Sequence, residues 1–442
     1  MIETRFVIIA CFVLSQTASL LAAETVIFSR HVAPILLEHC QSCHGPKKAE
    51  GGYRVDTYQA ALEVGDSGAA GFVGDSVDDS EAFRRIVSED HSERMPLDGD
   101  PLLQEQIDIL RGWIESGAAF DGEDPEDKLA ALVARNDQPN APATYPFGVP
   151  ATAVQFSSDG QRVYVSGYHE LTTWNVSDGS LVGRIPNVGQ RTMSLDLSSD
   201  GAWLIVGDGT PGRGGTVRVV DVAKQAVVRV LTACGDLVTD VQFSPTGDQI
   251  AAATVESGLK VINLADGKEV ATIASHSDWV TCVAWSPDGK LLVTGSRDKT
   301  CKVFDVSDGD LKLTYSGHGK PVRSLVFHPN GEEVFSGGND QKIHRWKIAD
   351  GAKAAEVGFG GEVFELALAG GFLYAVAGDG TVAKVNLEDN KQVAEFKGHE
   401  DWPMSVDYHE PTNRVVSGGY DGEIRIWDPD EAKPVTAFLA KP

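Results

Sequence analysis

Residues 283–289 read Val-Ala-Trp-Ser-Pro-Asp-Gly, an alternating strand followed directly by an Asp-Gly turn. A similar strand and turn recur along the last two thirds of the chain at intervals of 40 to 46 residues. The turn dipeptides are Asp159-Gly160, Asp200-Gly201, Thr246-Gly247, Asp288-Gly289, Asn330-Gly331, Gly370-Gly371 and Thr412-Asn413. Because a regular period of this length indicates a repeat architecture, the pattern predicts seven similar β-units over residues 149–442.

A second anchor follows each turn by 15 to 20 residues and ends a further strand. These anchors are Trp174, Val220, Ile262, Phe304, Trp346, Val385 and Trp427. Four short strands per unit are typical of a β-propeller blade. The chain resembles the WD40 family in Gly317-His318, Gly398-His399, Trp427-Asp428 and Ser286-Pro-Asp-Gly289. The resemblance implies an all-β, seven-bladed WD40-like propeller whose faces bind protein partners.

Three units carry a histidine, a hydroxyl residue, an aspartate and an aromatic residue at matching positions. The sets are His276, Thr294, Asp298 and Phe304 in the fourth unit, His318, Ser336, Asp340 and Trp346 in the fifth, and His399, Ser417, Asp421 and Trp427 in the seventh. Residues of these types also form hydrolase active sites. Because the sets repeat with the period of the blades, we interpret them as a structural hydrogen-bond network and assign no catalytic residues here.

A different motif, Cys40-Gln41-Ser42-Cys43-His44, stands near the N-terminus. Cys-x-x-Cys-His is the attachment pattern of c-type haem, in which two thiols bond the haem and the histidine ligates the iron. A redox dithiol would not need His44, and a zinc site would need a second cysteine pair. The cysteines farther along are Cys234, Cys282 and Cys301. The motif predicts one covalently attached haem c, held by Cys40 and Cys43, with His44 as the proximal ligand.

The haem iron also needs a sixth ligand or an open position. The methionines beyond the first residue are Met95, Met193 and Met404. Only Met95 lies near the haem motif, and Pro96 after it favours an extended loop that can aim a thioether inward. We predict Met95 as the distal ligand and keep His91 as the alternative. His31 and His39 are weaker candidates because a predicted entry helix places them on its surface.

Amphipathic patterns predict helices on both sides of the motif. Val32, Ile35 and Leu36 mark a helix over residues 29–39. A stripe of Leu103, Ile107, Leu110 and Ile114 marks a second helix, which Asp100 and Pro101 are suited to begin. We expect the apolar face of this second helix, with Trp113, to cover the haem.

Residues 30–120 resemble the planctomycete-type cytochrome c domain. The matching segments are Val32-Ala-Pro-Ile35 and residues 40–46, 51–56, 65–68, 94–96 and 113–118. The resemblance implies a small all-α cytochrome c domain with covalent haem, His44 as proximal ligand and Met95 as distal ligand.

Residues 6–14 form an apolar run after Arg5, and Ala22-Ala23 follow it. This pattern is typical of an export signal over residues 1–23; a retained anchor or lipidation at Cys11 are the alternatives. Export predicts a periplasmic, envelope or secreted protein that is not integral to the membrane after cleavage. The predicted cytochrome domain spans residues 24–120. An acidic, proline-rich linker over residues 121–148, with a short helix at 129–136, separates it from the propeller.

The chain of 442 residues has 38 basic and 64 acidic side chains and a net charge of −26, so nucleic acid is excluded as a partner. Its mean hydropathy of −0.14 also excludes a multi-span membrane protein. Residues 24–121 hold 19 acidic and 8 basic side chains. Because opposite charges steer association, we expect a basic redox partner protein.

These patterns predict an exported electron carrier, with the propeller as a docking platform, rather than a catalyst. Two alternatives stay open. One is an envelope interaction scaffold with an accessory haem, and the other is a haem-dependent peroxidase or other oxidoreductase. The sixth ligand separates transfer from catalysis, because a peroxidase needs an open position on the iron.

Overall fold

The computed structural model describes residues 26–442 except 47, 98, 123, 137, 213, 256 and 257. The predicted export signal, with Cys11, lies outside the described residues. Within the described residues, no helix is both long enough and apolar enough to cross a membrane. The chain forms a small, mostly helical N-terminal region followed by a β-propeller.

Short helices joined by turns build the N-terminal region, in agreement with the small helical domain expected from the sequence. They are α1 (Ala33–His39), α2 (Tyr58–Leu62), α3 (Glu81–Ile86), α4 (Gln104–Glu115) and α5 (Leu129–Asn136), with a π-helical turn at Phe28–Val32 and a 3-10 turn at Glu50–Gly52. The π-helical turn continues directly into α1, so the two together form the predicted entry helix.

The sequence pattern predicts that Asp100 and Pro101 begin helix α4, and this prediction is wrong. Helix α4 begins at Gln104, and Leu103 is its N-cap residue. The backbone N–H of Leu103 donates to Gln106 Oε1 at 2.9 Å. This bond satisfies an amide group at the helix start, so Asp100 and Pro101 remain outside the helix.

Trp113 of α4 lies at the centre of the N-terminal core and is fully buried. Its indole Nε1 donates to the Ala119 carbonyl at 2.9 Å. Leu129 and Leu132 of α5 belong to the same apolar cluster. The helix expected within the linker is therefore present and packs on the N-terminal region.

The predicted seven-bladed propeller is confirmed: in the described part of residues 149–442, seven four-stranded antiparallel sheets follow one another. Blades 1 to 4 contain β1 Val154–Phe156, β2 Arg162–Ser166, β3 Glu170–Asn175, β4 Leu181–Pro186, β5 Arg191–Leu197, β6 Trp203–Thr210, β7 Gly214–Asp221, β8 Ala226–Cys234, β9 Val238–Phe243, β10 Gln249–Thr254, β11 Gly258–Asn263, β12 Glu269–Ile273, β13 Val280–Trp285, β14 Leu291–Ser296, β15 Cys301–Asp305 and β16 Leu311–Tyr315. Blades 5 to 7 contain β17 Val322–Phe327, β18 Glu333–Gly338, β19 Lys342–Lys347, β20 Lys353–Gly358, β21 Val363–Ala369, β22 Phe372–Ala377, β23 Val382–Asn386, β24 Gln392–Phe396, β25 Pro403–His409, β26 Arg414–Gly419, β27 Glu423–Asp428 and β28 Lys433–Leu439.

Each blade consists of four consecutive strands, so blades 1 and 7 do not share a strand. We call the junction between these two blades the seam. At the seam, Asp407 Oδ2 accepts hydrogen bonds from the Phe156 backbone N–H and from Gln155 Nε2, both at 2.8 Å. The Ala151 N–H donates to the Gly419 carbonyl at 3.0 Å. Side-chain and loop contacts, rather than a shared sheet, therefore close the ring.

The recurring histidine sets form hydrogen-bonded networks in blades 4 and 5. In blade 5, His318 Nε2 lies 2.8 Å from Ser336 Oγ and His318 Nδ1 lies 3.0 Å from Asp340 Oδ2. Trp346 Nε1 donates to the same Ser336 hydroxyl at 3.1 Å. Blade 4 repeats the histidine, hydroxyl and aspartate contacts. These bonds satisfy polar groups between strands inside each blade.

Blade 7 keeps only part of this network. His399 Nε2 lies 2.6 Å from Ser417 Oγ, and Trp427 Nε1 donates to that hydroxyl at 2.8 Å. Asp421 accepts instead from the Glu423 N–H, and His399 Nδ1 has no hydrogen-bond partner among the described residues.

The Trp427→Ala variant is expected to lower the free energy of unfolding by about 3–5 kcal/mol. The indole is fully buried, and the substitution leaves a cavity and removes the bond to Ser417. Urea denaturation followed by circular dichroism measures the change. Trp402→Ala is the matched control, because Trp402 is 52% exposed. Equal losses in the two variants would contradict the structural role of Trp427.

Carboxyl groups on the inner strands join neighbouring blades by accepting backbone N–H bonds. The pairs are Asp196 with Phe243, Asp240 with Val283, Glu365 with Val406 and Asp407 with Phe156, at 2.7–2.8 Å. Burial raises the pKa of Asp196 to about 7, of Asp240 and Asp407 to about 6, and of Glu365 to about 8. Protonation of these groups therefore contributes to the stability of the ring.

A carboxyl group whose pKa is higher in the folded state than in the unfolded state binds more protons when the chain is folded. Its contribution to stability is therefore complete at a pH below the unfolded-state pKa, and it is lost as the pH rises through the folded-state pKa. We expect Glu365→Gln to remove this loss between about pH 4 and pH 8. At pH 8 the variant gains on the order of a few kcal/mol relative to the natural chain. Urea denaturation at pH 5 and pH 8 measures the difference. The exposed Glu388→Gln is the control, and identical pH profiles for all three chains would contradict the expectation.

Candidate functional site

The haem motif borders a cavity of about 400 Å³ in the N-terminal region. Cys40, His44 and Met95 all line this cavity. Most of the remaining wall is apolar and includes Leu36, Val55, Phe72 and Ile86. A mainly apolar cavity of this size, with a few convergent polar groups, is typical of cofactor sites.

The end of helix α1 positions the motif. The Cys40 N–H donates to the Leu36 carbonyl at 3.0 Å, which continues the helical bonding. The His44 N–H then donates to the Cys40 carbonyl at 2.9 Å, and the Val55 N–H donates to the His44 carbonyl at 2.8 Å. These bonds fold the motif into a compact turn and place Cys40 and His44 on the same cavity.

A backbone carbonyl orients the His44 ring. His44 Nδ1 lies 3.3 Å from the Tyr53 carbonyl oxygen. Because a carbonyl only accepts, Nδ1 is the donor of this bond, which leaves Nε2 as the ring nitrogen that can ligate a metal. Metal-ligating histidines are commonly held in this way by their second nitrogen. The bond to Tyr53 therefore orients His44 as a ligand requires.

The two motif cysteines occupy different surroundings. Burial raises the pKa of the Cys40 thiol on the cavity wall to about 12. Cys43 does not line the cavity; its Sγ lies 3.9 Å from Ser42 Oγ and 4.0 Å from Lys48 Nζ. All cysteines that the structure describes are free thiols. Both motif cysteines are thus free thiols, and Cys40, His44 and Met95 on the cavity wall fit a haem group.

Helix α3 positions Met95. The Met95 N–H donates to the Arg85 carbonyl near the end of α3 at 3.1 Å, and the Met95 side chain lines the cavity. His91 is exposed and does not line the cavity. His31 Nδ1 accepts from the Ile27 N–H at 2.9 Å, and His39 Nε2 lies 3.0 Å from Gln106 Nε2. Of these four sequence candidates, the structure brings Met95 to the cavity that His44 also lines.

The expectation that the apolar face of α4 covers the haem is wrong. Leu110, Trp113 and Ile114 are buried in the core and do not line the cavity. Phe72 lines the cavity and packs against Trp113, with ring centroids 5.5 Å apart. Since Phe72 occupies this position, the helix supports the cavity wall from behind.

Tyr53 is a wall residue that the sequence reasoning did not assign. Its hydroxyl donates to the Ala61 carbonyl at 2.7 Å, and burial raises its pKa. A Cβ atom at Gly71 would clash with the Tyr53 ring, so this close approach requires glycine. The signal in the sequence is the segment 51–56, which resembles the planctomycete-type cytochrome c domain.

Charged residues also border the cavity: Glu50, Asp66, Glu81 and Arg85. Arg85 Nε donates to Glu81 Oε1 at 2.8 Å, and this bond holds the pKa of Glu81 below its usual range. These three carboxyl groups and one guanidinium group together give the border of the cavity a net negative charge.

Comparison with known families agrees with this geometry. Residues 40–99, which include the motif, the cavity segments and Met95, match the family described as planctomycete cytochrome C. Residues 267–305, 309–347 and 390–428 match the WD domain, G-beta repeat. The chain joins a planctomycete-type cytochrome c segment to a WD40-type propeller.

The WD40 matches fall on blades 4, 5 and 7, the blades that carry the histidine sets. The cytochrome match suggests haem and haem-related electron transfer, and the WD40 propeller suggests protein partners.

A curated protein, THO complex subunit 6 of Drosophila melanogaster, is 38% identical over 55 residues. This similarity covers 12% of the present chain and 15% of that protein.

Proposed function

We propose that this protein is an exported c-type cytochrome that carries electrons, with the propeller as its docking platform. The observation that supports this proposal is the placement of His44 and Met95 on one apolar cavity beside Cys40. With a histidine and a thioether both supplied as ligands, a haem iron held here would have no open position, which favours electron transfer over substrate chemistry at the metal.

Each site residue has a distinct role in this proposal. Cys40 and Cys43 would hold the haem by thioether bonds, and His44 would ligate the iron through Nε2. Met95 would be the second protein ligand and would favour the reduced state of the iron. When bound, the haem supplies one-electron redox chemistry. The apolar wall residues exclude water, which is one of the means by which proteins raise a haem potential.

The acidic cytochrome segment supports a basic redox partner. If charge steers this encounter, the bimolecular rate with a basic partner such as a cationic cytochrome falls as ionic strength rises. Stopped-flow mixing from low salt to about 0.15 M salt measures this dependence. A rate that is independent of salt would contradict the proposed partner class.

Exposed aromatic side chains on the propeller support the docking role. Trp402 and Tyr420 are 52% and 50% exposed, with ring centroids 6.0 Å apart, and Trp279 is 40% exposed. Such residues are enriched at the energetic centres of protein interfaces. The predicted export signal leads us to propose a periplasmic or envelope location, where such a surface meets other envelope proteins.

A reduced-minus-oxidised spectrum with potentiometry tests the electron-transfer function. The full chain is expressed with c-haem maturation and titrated against redox mediators. We expect one covalent haem, a low-spin spectrum in both states and a single one-electron wave. A high-spin haem that binds carbon monoxide readily would instead support the peroxidase alternative.

A further inference from the structure

Seven side chains, one from each blade, form a ring around the central channel of the propeller. In the order of the blades they are Thr152, Met193, Thr239, Thr281, Arg323, Phe364 and Met404. In blades 2 to 7 each of them stands at a register shift in the pairing of the innermost strand. Because a β-bulge redirects a side chain, these residues line one cavity of about 310 Å³.

The threonines of this ring are hydrogen-bonded to the blade that follows. Thr239 Oγ1 donates to the Val280 carbonyl at 2.6 Å, and Thr281 Oγ1 donates to the Val322 carbonyl at 2.7 Å. Thr152 makes the equivalent bond to blade 2. The hydroxyl protons of all three threonines are therefore used within the ring and do not serve a ligand.

Arg323 occupies the same position in blade 5 and breaks this pattern. Its guanidinium has no hydrogen-bond or ion-pair partner among the described residues, and its Cζ lies 5.9 Å from the ring centroid of Phe364. The side chain is partly exposed and lines the channel, so a ligand can reach it. Burial lowers the pKa of Arg323, but a guanidinium stays charged in proteins. A half-buried charge without a partner is costly, so an anion that pairs with it gains free energy.

The other charged groups of the channel already have partners. Arg297 lies over the Trp279 ring, 4.3 Å from its centroid, and its Nε is 3.8 Å from Asp278 Oδ1. Asp240 and Glu365 accept backbone N–H bonds from the next blade. Burial raises the pKa of Glu365 to about 8, so this group is protonated at neutral pH. Of the described charged residues that line the channel, Arg323 is therefore the group left without a partner.

The composition of the ring favours a carboxylate over a phosphate. A guanidinium presents two parallel N–H donors, which match the two oxygens of one carboxylate. A phosphate needs donors for three oxygens, and the threonine hydroxyls of the ring donate to backbone carbonyls instead. Phe364 and Met193 add apolar surface to the same channel. A ligand that fits therefore combines one carboxylate with an apolar body.

We propose that the central channel of the propeller binds a small monocarboxylate with an aromatic or other apolar body. The carboxylate pairs with the Arg323 guanidinium, and the body lies against Phe364 and Met193. A cavity of about 310 Å³ is near the small end of the range for ligand pockets, which suits a molecule of one or two rings. The site goes beyond the proposed electron transfer and uses propeller residues alone.

Three probes test the site on the full haem-loaded chain. 2-Naphthoate and 2-naphthamide have nearly the same shape and differ in charge, and 2-naphthyl phosphate carries the other anion. Titration calorimetry measures the affinity of each probe. We expect 2-naphthoate to bind at least about 10-fold more tightly than 2-naphthamide, since the neutral amide leaves the Arg323 charge unpaired. The phosphate should bind more weakly than 2-naphthoate.

Variants at the ring position locate the binding. Arg323→Thr gives blade 5 the residue that blades 3 and 4 have at this position, so the ring accommodates it. It should lower the affinity for 2-naphthoate to that for 2-naphthamide. Arg323→Lys keeps the charge but loses the planar fork, and it should keep only part of the preference. Arg162→Thr removes an exposed arginine outside the channel and is the matched control, which should bind as the natural chain does.

Equal affinity for 2-naphthoate and 2-naphthamide in the natural chain would overturn the role of Arg323. Tighter binding of the phosphate would overturn the ligand class. Absence of binding, or binding that Arg323→Thr leaves unchanged, would overturn the site itself. Circular dichroism of each variant checks that the propeller is folded. Carboxylate binding by a chain without haem bands would contradict the electron-transfer proposal and leave this one standing.

Discussion

The Cys40→Ala, Cys43→Ala double variant is expected to lose covalent haem completely. Neither thioether bond can form, so denaturation in acid and organic solvent should extract any haem that the apolar cavity retains. A haem stain after denaturing electrophoresis and a pyridine haemochrome spectrum measure the loss. Each single variant should keep one bond and show the shifted absorption band of a haem with one remaining vinyl group.

Cys282→Ala is the matched control for this experiment. Cys282 is a buried free thiol of the propeller, far from the haem motif along the chain. Its replacement should leave haem attachment unchanged. Covalent haem in the double variant, or haem loss in the control alone, would contradict the assignment of Cys40 and Cys43.

The Met95→Ala variant is expected to lower the reduction potential by on the order of 0.1 V. Loss of the thioether removes a ligand that favours reduced iron, and it opens a coordination position. The spectrum should shift from low-spin toward high-spin, and carbon monoxide should bind readily. Met95→His should restore a low-spin spectrum while keeping the potential low, because imidazole favours oxidised iron more than a thioether does.

Met404→Ala, in the central channel of the propeller, controls for general loss of a methionine. It should leave the potential and the spectrum as they are in the natural chain. If Met95→Ala also leaves both unchanged, Met95 is not a ligand. A low-spin spectrum that is instead lost in His91→Ala would assign the distal position to His91.

The propeller could be predicted from sequence because its determinants are local and repeated. Each turn dipeptide and each anchor such as Trp427 reports on its own blade, and the period adds the signals together. The inner carboxyl groups were missed for the opposite reason. Asp240 and Glu365 act on the backbone of the next blade along the chain, and nothing in their immediate sequence marks that contact.

The candidate site likewise contains residues that a local sequence signal predicts and residues that no such signal predicts. The Cys40–His44 spacing is a local signal, and the structure places Cys40 and His44 on one cavity. The wall residues Tyr53 and Phe72 come from loops whose path no periodicity describes. Helix α4 was assigned to the haem because its stripe is apolar. An apolar stripe predicts burial but does not identify the surface that buries it.

The seam between blades 1 and 7 bears on how long the native protein persists. A ring closed by a shared strand must break a whole sheet edge before it opens, whereas this ring opens by losing the hydrogen bonds around Asp407, Gln155 and Ala151 together with the apolar packing of blade 1 against blade 7. We expect opening at this seam to expose the inner strands to proteases. We also expect the rate of that opening to set the lifetime of the folded chain at high temperature. A disulfide across the seam would lengthen this half-life more than it would raise the equilibrium stability.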